Sequence, residues 1–157
     1  MPTLIVYATG HGATKQIAER IANSMPGAAL FDAASNEKIT CADYGCIILG
    51  SPLTAGKIKK ELKKFIAEHA DELLCKKLGL FLSGLQESGE TEYLEQNFPK
   101  ALLDSASAKA FLGGIFDPEK CGFIERKIIK AVAKLDTYTS TINEEKIAAF
   151  VQALRDA

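Results

Sequence analysis

Residues 7–22 read "YATGHGATKQIAERIA". The stretch leaves a strand, turns through Gly10 and Gly12, and enters a helix whose Ile17 and Ile21 recur on one face. A strand-to-helix turn of this kind commonly seats a phosphate, because the first N–H groups of a helix are unpaired and its dipole favours negative charge. Spacing separates the phosphate loops that could apply. The dinucleotide pattern GxGxxG fails, since Lys15 stands where the third glycine belongs, and no lysine has the GxxxxGK[ST] context of a Walker A loop. What remains is a short turn, Thr9, Gly10, His11, Gly12, Ala13 and Thr14, whose amides and hydroxyls can converge on one anion. That is a monophosphate nest. The alternative from the same residues is a glycine-softened turn in which Thr14 only caps the helix.

Outward from this turn, short apolar runs alternate with helical patterns along the chain. The runs cover residues 3–8, 28–32, 44–50, 78–83 and 108–114, and they lack polar alternation, as parallel strands covered on both faces do. Between them, Ile17, Ile21 and Met25 share a helical face, as do Ile58, Leu62, Phe65, Ile66 and His69. Tyr93, Leu94, Phe98, Leu102 and Leu103 mark a further helical region, with Pro99 at a kink or opening a second short helix. Five strands with intervening helices predict a doubly wound α/β sheet in one domain over residues 1–157. A last helix is expected over about 143–157, which leaves residues 117–142 as an insertion after strand five.

In a sheet ordered 2-1-3-4-5, strands one and three meet at the topological switch point, where ligands bind. The third run leads into "GSPLTAGKIKKEL", which sets Ser51, Pro52, Leu53, Thr54, Ala55 and Gly56 beside the first turn. The fourth ends in "FLSGLQESGE", adding Ser83, Gly84, Leu85 and Gln86. Three small, polar, glycine-bearing loops at three strand ends describe a mononucleotide cleft.

Together, "IVYATGHGATKQIAERIA", "YGCIILGSPL" and "LGLFLSG" resemble the three flavin loops of flavodoxins, and the likeness runs over nearly the whole chain. The resemblance implies a flavodoxin-like three-layer α/β sandwich, with a five-stranded parallel sheet in the order 2-1-3-4-5 and an extra helix after strand five. It implies non-covalent FMN, with Thr9, Gly10, His11, Gly12, Ala13 and Thr14 around the phosphate. Residues 51–56 and 83–86 would then flank the isoalloxazine. It further implies a redox role, either carrying electrons or oxidising a small organic substrate. Within the superfamily, "GSPLTAGKIKKELKKFIAEHADEL", "ERKIIKAVAK" and the terminal helix are similar to menaquinone-dependent protoporphyrinogen dehydrogenases, whose insertion is longer than "LDTYTSTI" here. Leu53 and Leu85 stand where flavodoxins commonly place aromatics, and the chain has no tryptophan. A lost stack costs roughly 0.5–1.5 kcal/mol beyond burial, so weaker FMN binding is expected. A flavodoxin-fold interaction module without flavin is the alternative from a different class.

The bulk properties exclude other classes. The chain has 157 residues, 47% apolar and 25% charged, with a net charge of −1, so nothing in its charge suggests a general nucleic-acid binder. No run approaches the roughly 20 apolar residues of a membrane span. The first residues show no basic leader and no cleavage pattern. Cys41, Cys46, Cys75 and Cys121 form no CxxC pair and no metal-ligand cluster with either histidine by spacing, and read as buried thiols of a reducing cytoplasm. A phosphoacceptor receiver needs carboxylates where Ala8-Thr9-Gly10 and Gly50-Ser51-Pro52 stand. The partners expected are a redox protein, a quinone or another small molecule.

Within the insertion, Ile124, Ile128, Val132 and Leu135 keep helical spacing, and Arg126, Lys127, Lys130 and Lys134 outnumber Glu125. A basic amphipathic helix over 121–135 can touch a membrane surface or a redox partner, although packing its apolar stripe on the domain is the reading preferred here. It is expected to flank the flavin cleft and govern access. Lys57 is singled out among the lysines because it opens a helix beside the second loop. His69 is expected to be packed or capping, and Cys46 to be core, while Cys121 precedes the extra helix. No catalytic or metal-binding side chain is assigned, since a bound flavin would perform the chemistry.

Overall fold

The computed structural model describes residues 2–10, 12–85, 88–119, 122–132 and 137–157. The apolar runs form five parallel strands: β1 (Thr3–Tyr7), β2 (Ala29–Asp32), β3 (Cys46–Pro52), β4 (Lys77–Ser83) and β5 (Ala108–Phe111). Their order is β2-β1-β3-β4-β5. Period-2 alternation along each strand sends side chains to opposite faces, and each face meets its own helices. Ile5, Ile48 and Phe81 pack against α1 (Ala13–Asn23) and α6 (Glu144–Asp156) through Ile17, Ile21, Phe150 and Val151. Leu4, Val6, Ile47, Leu49 and Leu80 pack against α2 (Lys60–Leu74), α3 (Glu90–Asn97) and α4 (Lys100–Ser105) through Leu62, Phe65, Leu94 and Leu102. The result is a three-layer sandwich. Register sets Tyr7 beside Gly50 and Pro52 beside Ser83, so three adjacent strands finish at nearly one level.

Several expectations shift in detail. Strand five ends at Phe111 rather than at 114, because Gly113 turns left-handed at φ 96° and the backbone swings away. The departing chain forms β6 (Ile115–Phe116), which pairs antiparallel with β7 (Thr139–Ser140) and carries α5 (Phe123–Val132) between them. Two-residue strands leave no periodicity to read. The extra helix therefore stands on a two-stranded stem, and Phe123, Ile124 and Ile128 are 64%, 74% and 56% exposed. The expectation that this stripe packs on the domain is thus corrected: among its described side chains only Ile129 is half-buried. Cys121, Lys134, Leu135 and the side chain of Val132 lie outside the described residues.

Helix α2 starts at Lys60, not at Lys57, and the buried Ile58 precedes it. Pro99 immediately precedes α4 and opens it. His69 interrupts α2 with φ −121° and ψ 15°, its ring 4.4 Å from that of Phe65 and its Nδ1 3.1 Å from Glu72 Oε1. Cys41 and Cys46 are buried, but Cys75 is exposed, against the reading of all four as core. The fold also brings Cys41, His69 and Glu72 within 4.8 Å of one another at their ligand atoms, a grouping that spacing along the chain hides. Among the described residues no helix is long and apolar enough to cross a membrane.

Candidate functional site

The first loop joins β1 to α1. Gly12 takes the helix N-cap position at φ 93°, a left-handed conformation that a Cβ would strain. No side chain caps this helix and its first turn holds no acid, whereas Asn143 caps α6 and Glu144 and Glu145 fill its first turn. Thr9 Oγ1 accepts the Gly12 N–H at 3.1 Å and closes the turn. Thr14 is buried, with its hydroxyl 2.6 Å from Ser83 Oγ. It therefore ties α1 to the end of β4, and the alternative in which Thr14 merely caps the helix does not hold. The N–H groups at the start of α1 keep their capacity for an anion.

The second loop is built around fully buried Ser51, whose Oγ donates to Pro52 O at 2.8 Å and accepts the Lys59 N–H at 3.0 Å. Thr54 and Lys57 exchange N–H···O bonds of 2.8 and 3.1 Å around Ala55 and Gly56, at φ 52° and 78°. Positive φ at both central residues marks a tight two-residue hairpin turn. This turn is why Lys57 does not open α2. Asn97, at the end of α3, holds the hairpin: its Oδ1 accepts the Ile58 N–H at 2.9 Å, and its Nδ2 donates to Gly56 O at 2.9 Å and to Tyr93 O at 2.8 Å. The lysine that reaches the first loop is Lys59, whose Nζ would lie 3.5 Å from a Cβ placed on Gly10.

The third loop leaves β4 at Ser83. Its carbonyl accepts the Leu53 N–H at 3.1 Å, and Gly84 donates to Gly113 O at 2.9 Å. A Cβ on Gly114 would stand 2.5 Å from the Gly84 carbonyl carbon, so the two backbones meet only because position 114 is glycine.

These loops enclose one cavity of ≈ 320 Å³, in the size range of small-ligand sites. Gly10, Ala13 and Thr14 line it from the first loop, Pro52, Leu53, Thr54 and Ala55 from the second, and Ser83, Gly84 and Leu85 from the third. Thr9, Gly12 and Ser51 shape the loops through their backbone conformation and hydrogen bonds without lining the cavity, and Gly56 lines a neighbouring hollow with Tyr93 and Asn97. His11 and Gln86 lie outside the described residues. Sequence reasoning missed Lys59, Gly114 and Ile115, which complete the wall together with Glu125 and Ile129 of α5, the helix expected to flank the cleft. The adjacent glycines 113 and 114 could have signalled a break in the chain there. Nothing in "TAGKIK" announced the hairpin that delivers Lys59.

The cavity is aliphatic around Leu53, Leu85, Ile115 and Ile129, and no aromatic side chain is among its described lining residues. One end carries positive potential from the start of α1 and from Lys59. At the end of β1 beside the first loop, burial, then the charges of Asp32 and Glu19, raise the Tyr7 phenol above its ordinary range. The arrangement suits a flat apolar body with an anionic end.

The family described as flavodoxin domain matches residues 4–143. This chain belongs to the flavodoxin-domain family. Solved flavodoxin-fold structures agree with it in architecture. A flavoprotein from Lactobacillus acidophilus NCFM, solved in complex with FMN, is 16% identical over 70% of this chain and 92% of its own, with a TM-score of 0.56. A flavodoxin from the domain Archaea is 16% identical over 99% of this chain and 95% of its own, with a TM-score of 0.57. The Flv1 flavodiiron core from Synechocystis sp. PCC6803 is 17% identical over 99% of this chain, with a TM-score of 0.59, and this chain spans only 36% of its length. No curated protein matches the sequence. As a flavodoxin-domain protein, the chain presents its cavity at the β1/β3 switch point, where open α/β sheets bind ligands.

Proposed function

We propose that this flavodoxin-domain protein binds FMN and serves as a redox protein, passing electrons or oxidising a small organic substrate. One observation carries the reading: the uncapped, glycine-started α1 and Lys59 face the same cavity as the second and third strand-end loops. The donor set fits the cofactor. The N–H groups of the first loop and the Lys59 ammonium would hold the phosphate, and Leu53 and Leu85 would border the ring. Bound FMN would supply one- and two-electron chemistry. The chain's own residues bind it, orient it and exclude water from it. The L. acidophilus structure, solved with FMN, supports the choice of cofactor.

Glu125 and Ile129 place α5 at the cavity wall, so this helix is proposed to govern access for the electron partner, whether a protein, a quinone or another small molecule. Protoporphyrinogen oxidation with menaquinone is the most specific form of the reading and rests on sequence resemblance alone. The free thiols of Cys41, Cys46 and Cys75 favour a reducing, cytoplasmic setting.

The purified protein is expected to be yellow, or to take up FMN stoichiometrically after flavin removal, read by flavin absorption and fluorescence quenching. A colourless protein that takes up no FMN would replace this reading with an interaction module.

A further inference from the structure

A second grouping lies at the opposite end of the strands from the cavity. Cys41 begins a single 3₁₀ turn, Cys41–Asp43, that leads into β3, and its side chain is buried. His69 and Glu72 sit one helical turn apart in the second half of α2, which packs on that turn. Cys41, His69 and Glu72 supply a thiol, an imidazole and a carboxylate from two separate elements, with one ligand atom of each within 4.8 Å of the others. The helix leaves helical geometry at His69, the residue that carries the imidazole, and Phe65 holds the ring from one side. Exposure rises from buried Cys41 through half-buried His69 to exposed Glu72, so the grouping opens to solvent along one edge.

We propose that Cys41, His69 and Glu72 form a Zn²⁺ site that clips the kinked α2 to the turn before β3. The ligand types decide the metal. A thiolate discriminates against Mg²⁺ and Ca²⁺, and a mixed sulfur, nitrogen and oxygen set suits borderline Zn²⁺. Zinc bonds of roughly 2.0–2.3 Å would draw the three groups together around one ion, and the solvent edge would leave a fourth, tetrahedral position for water. The His69–Glu72 hydrogen bond of 3.1 Å holds both groups at the opening. The ion would replace that contact with two bonds.

The test uses the full chain, dialysed against a chelator and titrated with ZnCl₂ by calorimetry. Co²⁺ then serves as a spectroscopic probe for a thiolate-to-metal charge-transfer band. One equivalent of Zn²⁺ is expected to bind and to raise Tm, while His69→Gln and Glu72→Gln each weaken binding at least about tenfold. Cys41→Ala should abolish the Co²⁺ band, and Cys75→Ala should leave it intact. The two substitutions on α2 lie toward solvent and keep the question open should the buried cysteine variant fold poorly. Absence of binding overturns the proposal, as does stoichiometric binding that survives both α2 substitutions or a band that follows Cys75. The outcome is independent of whether the cavity takes flavin.

Discussion

Lys59 gives the first loop a charge that its own residues lack. Its backbone N–H is fixed by Ser51 Oγ and its ammonium lies over Gly10, so the side chain is aimed rather than tethered loosely. Lys59→Met is expected to weaken FMN binding by about ten- to hundredfold, the equivalent of a charge-assisted contact worth about 1.5–3 kcal/mol. Riboflavin, which lacks the phosphate, should bind the variant and the parent alike. Equal losses for both ligands would place Lys59 at the ring instead. The far end of the cavity supports the opposite kind of change. Leu85→Trp offers a stacking surface to an aliphatic wall and should tighten FMN binding by about two- to tenfold, read by fluorescence titration. Asn97 matters through the hairpin. Asn97→Ala leaves the Ile58 N–H and the Gly56 carbonyl without their partner, which should lower stability by about 1–3 kcal/mol in urea unfolding and loosen the second loop.

Among the elements, α5 differs most from what its sequence promised. Spacing alone locates an amphipathic helix, but it does not say whether the apolar stripe turns inward. The stem of β6 and β7 decides that, by holding the helix off the sheet with Ile129 inward and Phe123, Ile124 and Ile128 outward. Arg126, Lys127 and Lys130 flank the outward residues, and Lys127 Nζ lies 4.4 Å from the Phe123 ring centroid. Basic residues around an exposed apolar stripe match an anionic bilayer surface. The protein should therefore co-sediment with vesicles containing anionic lipid and be released by salt. Ile124→Glu with Ile128→Glu should stay in the supernatant while FMN affinity is unchanged. Sedimentation that ignores both the lipid charge and the double substitution would exclude α5 as the contact.

Taken whole, the molecule was legible wherever burial wrote the pattern. Ile5, Ile48 and Phe81 on one face, and Leu4, Leu49 and Leu80 on the other, are consecutive apolar runs because both faces of the sheet are covered. The three loops were legible for the same reason, since strand ends fix where loops fall. Contacts set by turns and by residues distant in sequence were not: the Ala55–Gly56 hairpin, the Thr14–Ser83 hydrogen bond and the Cys41–His69–Glu72 grouping leave no periodic trace. The buried core also carries a pH dependence. Burial holds the Cys46 thiol above its ordinary value of about 8.5, so the folded chain keeps a proton that the unfolded chain surrenders as pH rises. This contribution to stability is complete below that value and is lost as pH climbs toward the raised one. Tyr7 extends the same fall beyond its ordinary value of about 10. Urea unfolding across alkaline pH should show the decline, and Cys46→Ala should lessen its first part, to which the buried Cys41 thiol also contributes. Finally, the excursion after β5 departs and returns at one point, where Gly114 donates to Thr141 Oγ1 at 3.0 Å and accepts the Thr141 N–H at 2.7 Å. A segment whose two roots already touch is a cassette: it can be lengthened, exchanged or trimmed to a short turn in another lineage while the sheet stays untouched. The surface the excursion presents can thus change without reopening the problem of folding the sandwich.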